Sequence, residues 1–266
     1  MSSDGDLIDC VPSHLQPAFD HPELKGQKPL DPPDRPKGID SVDEVTHSIQ
    51  QWTESGESCP NGTIPIRRAT EEDILRASKF GRFGRKPRRT VRRDSDGSGH
   101  EHAVAFVNGQ QFYGAKASMN VWTPQVTNPY EFSLSQLWII SGSFGNDLNT
   151  IEAGWQARQL VGYWPAFLFS HLRMHANMIQ FGGEIVNSRS SGFHTSTQMG
   201  SGHFADEGFT KAAYFRNLQL VDWDNNLIPL SNLRLLADHP NCYNIRQGRN
   251  NVWGDYFYYG GPGRNV

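Results

Sequence analysis

The chain has 266 residues, a hydrophobic content of 36% and a formal net charge of −3, which allows one ordinary domain with its own core plus a smaller appendage. Its 26 glycines, 16 prolines and 11% aromatic residues favour a turn-rich β protein over a helical bundle. The sequence contains no run of about 18 apolar residues, which predicts no membrane span. The negative net charge gives no support for a nucleic-acid partner.

A basic segment divides the chain into three parts. The stretch KFGRFGRKPRRTVRR (79–93) contains eight Lys or Arg residues and no acid. A patch for RNA or a membrane surface is one interpretation, and a solvated linker is the simpler one, because Gly and Pro interrupt the run. We therefore predict a first segment at 1–78, a basic linker at 79–99 and a second domain at 100–266.

The first segment is rich in proline and then turns helical. We predict short helices at 41–52 and 70–78 from their capping residues. Between them, Asn61 begins an NGT sequon, which has meaning for glycosylation only in a secreted chain. The segment as a whole predicts a small α+β unit.

The second domain has the pattern of an antiparallel sheet protein. Residues 102–122 form two runs joined by Asn108-Gly109, a strong hairpin signal. The stretch YEFSLSQLWIIS (130–141) alternates, which predicts a strand with one face formed by Phe132, Leu134, Gln136, Trp138 and Ile140, and with Ser133 and Ser135 on the other face. A second hairpin is predicted around DNN (224–226), and GDYFYYGGPG (254–263) ends the domain as a strand.

One segment departs from this pattern. In WPAFLFSHLRMHANMIQ (164–180), a proline at the start and apolar residues at helical spacing predict a helix. The predicted fold class is therefore mainly β: an antiparallel β-sandwich with one helix, preceded by the Pro-rich α+β segment.

Several common kinds of active site have no support. The histidines His100 and His102, two apart on a strand, face the same way, but no His, Cys or carboxylate spacing typical of a metal site surrounds them. A nucleophilic serine in a GxSxG turn is absent. Cys242 lacks the flanking residues of a cysteine protease, so a disulfide partner is its simpler role. We predict no metal and no other cofactor.

Two glutamates stand where strands should be buried. Glu152 in TIEAGW and Glu184 in QFGGEIV are each the only acid in an apolar or small-residue strand, beside glycine. Glycine would let a substrate backbone approach the carboxyl group. Two carboxyls brought close together share a proton, and such a pair can act as general base and general acid. The simpler alternative is that both are surface glutamates paired with arginine, and a glycosidase would also use two carboxylates.

Longer motifs make the resemblance specific. The chain resembles the plant neprosin family over almost its whole length, through SCPNGTIPIRRATEEDILRA, GAKASMNVW, EFSLSQLWI, NTIEAGWQ, GYWPAFLF, QFGGEIVN, GFHTSTQMGSGHF, AAYFRNLQLVD and YFYYGGPGRN. The resemblance implies a secreted glutamic peptidase that cleaves after proline at acidic pH, with an activation segment before a β-sandwich catalytic domain. It implies Glu152 and Glu184 as the catalytic pair, and direct attack of an activated water on the peptide carbonyl.

The resemblance also implies what the chain departs from. Family members carry several tens of residues between GWQ and GYWP, so the catalytic domain is expected to be shortened near 156–160. No secretion signal is recognised at MSSDGDLIDC, and the family's final cysteine, the expected partner of Cys242, does not follow GRNV. Cys10 and Cys59 are then expected to form a disulfide within the activation segment. Losing central strands would expose sheet edges, so the alternative function is a non-catalytic extracellular or cell-wall binding protein.

Three further residues are candidates for the substrate cleft. Gln136, Trp155 and Gln198 would supply amide donors and an aromatic wall for a carbonyl and a proline ring. Ordinary packing within the sandwich is the alternative for each. We expect a proline-containing peptide or protein as substrate, a monomer in solution and an extracellular or secretory-pathway location.

Overall fold

The structure is a computed structural model that describes residues 5–29, 34–38, 58–71, 99–128, 131–144, 147–156, 168–189 and 194–264. The chain divides into two compact units, Met1–Arg88 and Arg89–Val266. The boundary between the units falls within the predicted basic linker, and the basic run 79–93 lies outside the described residues.

The first unit contains a two-stranded antiparallel sheet. Strand β1 (Ile8–Pro12) pairs with β2 (Thr63–Arg67), and two short 3-10 helices, Ser13–Leu15 and Pro17–Asp20, follow β1. The expected disulfide joins Cys10 to Cys59. Asn61 is exposed in the turn that leads into β2. The predicted helix 41–52 and most of the predicted helix 70–78 lie outside the described residues.

The second unit contains two antiparallel sheets. The strands of the first sheet are β3 (His100–Phe112), β5 (Ser133–Ser141), β6 (Asn149–Gln156), β7 (Ala176–Val186) and β10 (Arg234–Ala237). Their order across the sheet is β10-β3-β7-β5-β6, so that β10 and β6 are the two outermost strands among the described residues.

The second sheet has the order β11-β12-β8-β4, with β9 also paired to β8. Its strands are β4 (Gly114–Met119), β8 (Ala213–Val221), β9 (Leu227–Pro229), β11 (Asn244–Asn250) and β12 (Gly254–Gly260). A short 3-10 helix, Ala205–Glu207, precedes β8. The predicted hairpin around 224–226 is confirmed as the β8–β9 connection, and the predicted last strand is β12.

The main core lies between the two sheets. Phe181 of β7 meets Phe215 of β8 with ring centroids 6.2 Å apart, and Phe215 stacks on Phe257 of β12 at 5.4 Å. Tyr259 is fully buried there, and its hydroxyl donates to Ser135 Oγ at 2.5 Å. The serines of β5 therefore point into the sandwich.

The other side of the first sheet, which we call the outer face, has its own apolar cluster. The even-numbered residues of β5 lie there, as the alternation predicted, and Trp138 and Ile140 are fully buried with Val104 and Leu134. These four side chains are thus buried on the outer face. The structure confirms a mainly β, antiparallel, sandwich-like fold with short helical segments.

The predicted hairpin at Asn108-Gly109 is wrong. Strand β3 continues through this pair to Phe112, and its pairing with β7 shifts register between Asn108 and Phe112. Gly109 has φ of +85°, a conformation that a β-bulge uses as readily as a tight turn. Strand β4, the predicted hairpin partner, instead pairs with β8 in the other sheet.

The predicted helix over 164–180 is wrong in its described part. Residues 170–174 form bends and turns, and 176–186 form the central strand β7. Ile179 and Phe181 alternate into the sandwich core, so the two-residue period of the strand prevailed over the helical spacing of Leu172, Ala176 and Ile179. Among the described residues, no helix is long and apolar enough to cross a membrane.

Candidate active site

The two predicted catalytic glutamates lie on the outer face of the first sheet. Glu184 of β7 pairs directly with Leu134 of β5, and Glu152 of β6 pairs with Trp138 of the same strand. Residues directly opposite each other in an antiparallel pair share a face. Both glutamates therefore lie on the side of Leu134 and Trp138; Glu184 is only 5% exposed, whereas Glu152 is half-buried.

The register fixes how far apart they are. Strand β5 lies between the two glutamates, and their partners on β5, Leu134 and Trp138, are four residues apart. At ordinary strand spacing and rise, the Cα atoms of Glu152 and Glu184 are therefore about 17 Å apart. Two extended glutamate side chains do not close that gap. The structure brings Glu152 and Glu184 to one face, but a proton shared directly between their carboxyls, as expected from the sequence, does not fit this register.

Glycine occupies the row between the two glutamates. Gln136 pairs with Gly182 of β7 on one side and with Gly154 of β6 on the other. A Cβ at Gly154 would stand 2.2 Å from Ser135 O, and a Cβ at Gly182 would stand 2.3 Å from Ala103 O. The backbone therefore requires glycine at both positions, and Gln136 supplies the one side chain of this three-residue row.

The side chain of Gln136 has unused hydrogen-bonding capacity. It is 9% exposed, and its Oε1 has no hydrogen-bond partner among the described residues. A buried amide oxygen without a partner costs on the order of 1–3 kcal/mol. A backbone N–H laid over this row would remove that cost, and the role of Gln136 in substrate binding stays a prediction.

Glu184 is held by two histidines from the neighbouring strand β3. His102 pairs with Glu184 across the ladder, and His100 lies two residues away on the same face, as the spacing predicted. His100 Nδ1 is hydrogen-bonded to Glu184 Oε1, and His102 Nε2 lies 3.6 Å from Glu184 Oε2. Both oxygens of the carboxylate therefore face an imidazole.

Asp238 fixes the far side of His102. Its Oδ2 accepts a hydrogen bond from the backbone N–H of His102 at 2.7 Å and lies 3.2 Å from His102 Nδ1. Asp238 follows β10 directly, and no local sequence signal pointed to it. Among the described residues, no group of three or more His, Cys, Asp or Glu side chains is arranged to hold a metal ion.

Two other buried glutamates lie near the same end of the sheet. Glu101 is 4% exposed; its Oε2 contacts His194 Nε2 at 2.6 Å and its Oε1 accepts a hydrogen bond from Asn187 Nδ2 at 3.2 Å. The hydrogen bond with Glu101 raises the pKa of His194. Glu101 was not predicted, because nothing in the sequence around it indicates that this acid pairs with Ile185 and faces the core.

Glu131 is the second of these buried glutamates. It accepts hydrogen bonds from hydroxyl groups of Thr195, Thr197, Ser188 and Thr127, and from the backbone N–H of Ser188. Burial alone would raise its pKa, but the hydrogen bonds, that of Thr197 foremost, outweigh burial and lower it. The ionised carboxylate of Glu131 thus links three loop segments, which contain Thr127, Ser188 and the pair Thr195 and Thr197.

The other two predicted cleft residues occupy different places. Trp155 pairs with Ser135, whereas Glu152 pairs with Trp138. The position of Trp155 in the strand therefore belongs to the opposite face of the sheet from that of Glu152. Gln198 Oε1 accepts a hydrogen bond from Gln125 N at 2.9 Å, which joins two loop segments. Neither residue shares the row of Gln136 in the described structure.

Two family models match the chain. The model described as Neprosin activation peptide matches residues 1–106, and the model described as Neprosin matches residues 156–262. Glu184 lies within the second match and Glu152 lies four residues before its start, whereas His100 and His102 lie within the first. Together with the sheet architecture, these matches identify the chain as a member of the neprosin family.

Proposed function

We propose that this chain is a glutamic endopeptidase that cleaves peptide bonds after proline, with Glu152 and Glu184 as its catalytic pair. Membership of the neprosin family supports a peptidase function of the neprosin type in general. The family and the Cys10–Cys59 disulfide are also consistent with a secreted protein. The catalytic pair and the preference for proline are the parts that we add.

The single observation that carries the proposal is the shared face. Glu152 and Glu184 lie on the outer face of one sheet, and only the Gly154–Gln136–Gly182 row lies between their rows. An extended peptide can lie over this row because glycine leaves no side chain above the backbone. The gap between the carboxyls then holds the scissile peptide group and the attacking water.

Two carboxyls in this arrangement can divide the work of hydrolysis. Glu184, placed against two histidines, takes a proton from water as the water oxygen forms its bond to the peptide carbonyl carbon. Glu152, more exposed, delivers its proton to the nitrogen of the leaving amine as the C–N bond breaks. One water is consumed, one proton moves from Glu152 to the amine, and one moves from water to Glu184, so the carboxyls must exchange their protonation states before the next cycle.

Gln136 is placed to bind the substrate between the two glutamates. Its Nε2 would donate a hydrogen bond to a substrate carbonyl, and its Oε1 would accept one from a substrate N–H. A donor aimed at the oxygen on which charge develops contributes on the order of 3 kcal/mol in other hydrolases. We therefore assign Gln136 to orientation of the peptide group rather than to proton transfer.

A panel of substrates tests this function against its alternatives. The chain should release fluorescence from a quenched peptide that contains one internal proline, faster at about pH 3 than at neutral pH. Mass spectrometry should place the new carboxyl terminus on the proline, and a matched peptide with alanine in its place should remain intact. Release of reducing sugar from a polysaccharide would indicate a glycosidase, and binding without cleavage of either polymer would indicate a non-catalytic binding protein.

A further inference from the structure

Four titratable side chains are in contact around Glu184, which is one of them. Asp238 contacts His102, His102 and His100 each contact Glu184, and all four are described residues of the first sheet or of the loop after β10. We propose that His100 and His102 are positioning residues that hold the carboxylate of Glu184 in place, and that His102, with Asp238 behind it, makes the activity of Glu184 depend on pH. This inference rests on the proposed role of Glu184 as the general base.

The position of His102 determines its charge. Its Nδ1 lies 3.2 Å from Asp238 Oδ2 and its Nε2 lies 3.6 Å from Glu184 Oε2, so both ring nitrogens face a carboxylate oxygen. A neutral imidazole has a single N–H and would present a lone pair to one of the two carboxylates. Two ionised carboxylates at these distances favour the imidazolium over the neutral ring, and of the two contacts the one with Asp238 is short enough for a hydrogen bond.

Burial makes this arrangement consequential. The side chains of His102 and Glu184 are 5% and 6% exposed, and that of Asp238 is 12% exposed. A buried carboxylate without a cation is costly, and a neighbouring cation offsets part of that cost. The protons of this group therefore titrate as a linked set, and loss of the proton from His102 leaves two buried carboxylates facing a neutral ring.

His100 fixes the other oxygen of the carboxylate. Its Nδ1 is hydrogen-bonded to Glu184 Oε1, and its ring packs edge-on against Phe132 with centroids 5.7 Å apart. With one histidine on each oxygen, the carboxylate has a defined orientation on the outer face. That orientation is what a general base needs in order to meet a water at a fixed distance.

The remaining charged groups near this set do not replace the histidines. On β3, Glu101 points to the opposite face, where it meets His194 and His239. Strand β5 contributes Leu134 and Gln136, which carry no charge. The other charged residues of the described strands on the outer face are Glu152 and Arg234. The Cα atom of Glu152, on β6, is about 17 Å from that of Glu184 by the ladder geometry. Arg234, on β10, pairs with Phe106, which is four residues from His102 along β3.

The consequence is an alkaline limit to activity. While His102 is protonated, Glu184 is held as an oriented carboxylate beside a buried cation and can accept a proton from water. As pH rises and His102 loses its proton, Glu184 loses that cationic partner. The preference for acid would then arise from His102, and not from a proton shared between the two glutamates.

Kinetics of histidine variants test the inference. We expect the unmodified chain to show a fall in kcat between pH 5 and pH 8. We expect His102→Gln to lower kcat at least tenfold with little change in KM, and to remove that fall. Asp238→Asn should reproduce both effects, and the double variant His102→Gln/Asp238→Asn should be no worse than His102→Gln alone. His171→Gln is the matched control, because His171 pairs with Asp147 at 2.6 Å beside the other end of β5. An unaltered pH profile in His102→Gln would overturn the inference.

A second measurement separates this inference from the proposed function. In protein labelled at histidine, the ring resonances of His100 and His102 at pH 5 should shift on Glu184→Gln and stay unchanged on Glu152→Gln. This readout needs no cleavage, so it decides whether the histidines engage Glu184 even if every peptide remains intact. If the ring resonances do not change on Glu184→Gln, the pairing of the histidines with Glu184 is refuted, even if the protein cleaves proline-containing peptides.

Discussion

Glu152 and Glu184 lie on one face of the same sheet, two strands apart across it and four residues apart along it. That separation gives the two carboxyls different surroundings. Glu184 is buried beside two histidines, whereas Glu152 is half-buried on the edge strand β6. Different surroundings are what allow two carboxyls of one site to take different roles in proton transfer.

The glycine row between the glutamates should be intolerant of any side chain. Gly154→Ala should destabilise the chain by about 1–3 kcal/mol, because the new Cβ would meet the backbone of β5. Urea unfolding followed by tryptophan fluorescence measures the loss. Gly114→Ala is the control, since its Cβ would meet only the side chain of Val221, at 3.0 Å, which can move. Equal effects of the two substitutions would contradict the close approach at Gly154.

The Glu131 hydrogen bonds should make stability depend on acid pH. The pKa of Glu131 is lowered from its ordinary value of 4.5, so its contribution is complete above that value and is lost as pH falls through the lowered pKa. Glu131→Gln should cost about 1–3 kcal/mol at neutral pH and should reduce the loss of stability on acidification. Thermal unfolding from pH 6 to pH 2 checks this, with Asp224→Asn on an exposed turn as the control. A variant with an unchanged acid dependence would be evidence against this role.

The pair His194–Glu101 should have the opposite pH dependence. The hydrogen bond with Glu101 raises the pKa of His194 above 6.5, so the stability it contributes is complete below 6.5 and is lost as pH rises through the raised pKa. Melting temperatures measured from pH 5 to pH 9 should fall over this range, and less steeply in His194→Gln. His203→Gln, at an exposed pair with Glu207, is the control. A steeper fall in His194→Gln than in the unmodified chain would reverse the assigned sign.

The Cys10–Cys59 disulfide should stabilise the first unit. The two cysteines are 49 residues apart in sequence, and closing a loop of that length removes unfolded-state entropy worth about 4 kcal/mol. Cys10→Ser/Cys59→Ser should therefore be cleaved faster by a protease within residues 1–88, and adding a reductant to the unmodified chain should have the same effect. Cys242→Ser in the second unit is the control. Unchanged cleavage rates within the first unit would refute this contribution.

Local pattern was sufficient for part of the fold. The alternation over 133–141 correctly assigned β5 and its two faces. Successive side chains of a strand point to opposite faces, so serines alternating with larger residues separate the two faces within this one segment. The same logic failed at Asn108-Gly109 and over 164–180. In both places the local sequence favoured a turn or a helix, but the segment pairs with a strand that is distant in sequence. β3 pairs with β7 and β4 pairs with β8, and no local pattern indicates these pairings.

Individual residues of the candidate site were predictable, but not the contacts between them. Glu152 and Glu184 stand out because an acid is rare in an apolar strand next to glycine. Their separation was not predictable, since it depends on the register of β6 and β7 against β5. The pairing of Glu184 with His100 joins residues 84 positions apart, and Asp238 meets His102 across 136 positions. No spacing rule reaches that far along a sequence.

A double-mutant cycle tests the central claim most directly. The value of kcat/KM for a proline-containing peptide at acid pH would be measured for the unmodified chain, Glu152→Gln, Glu184→Gln and the double variant, with Glu207→Gln as a surface control. If the two glutamates act on one peptide bond, each single variant should lose at least a hundredfold and the double variant should lose no more than the worse of the two. Full activity in either single variant, or losses that multiply in the double variant, would contradict a catalytic pair on this face.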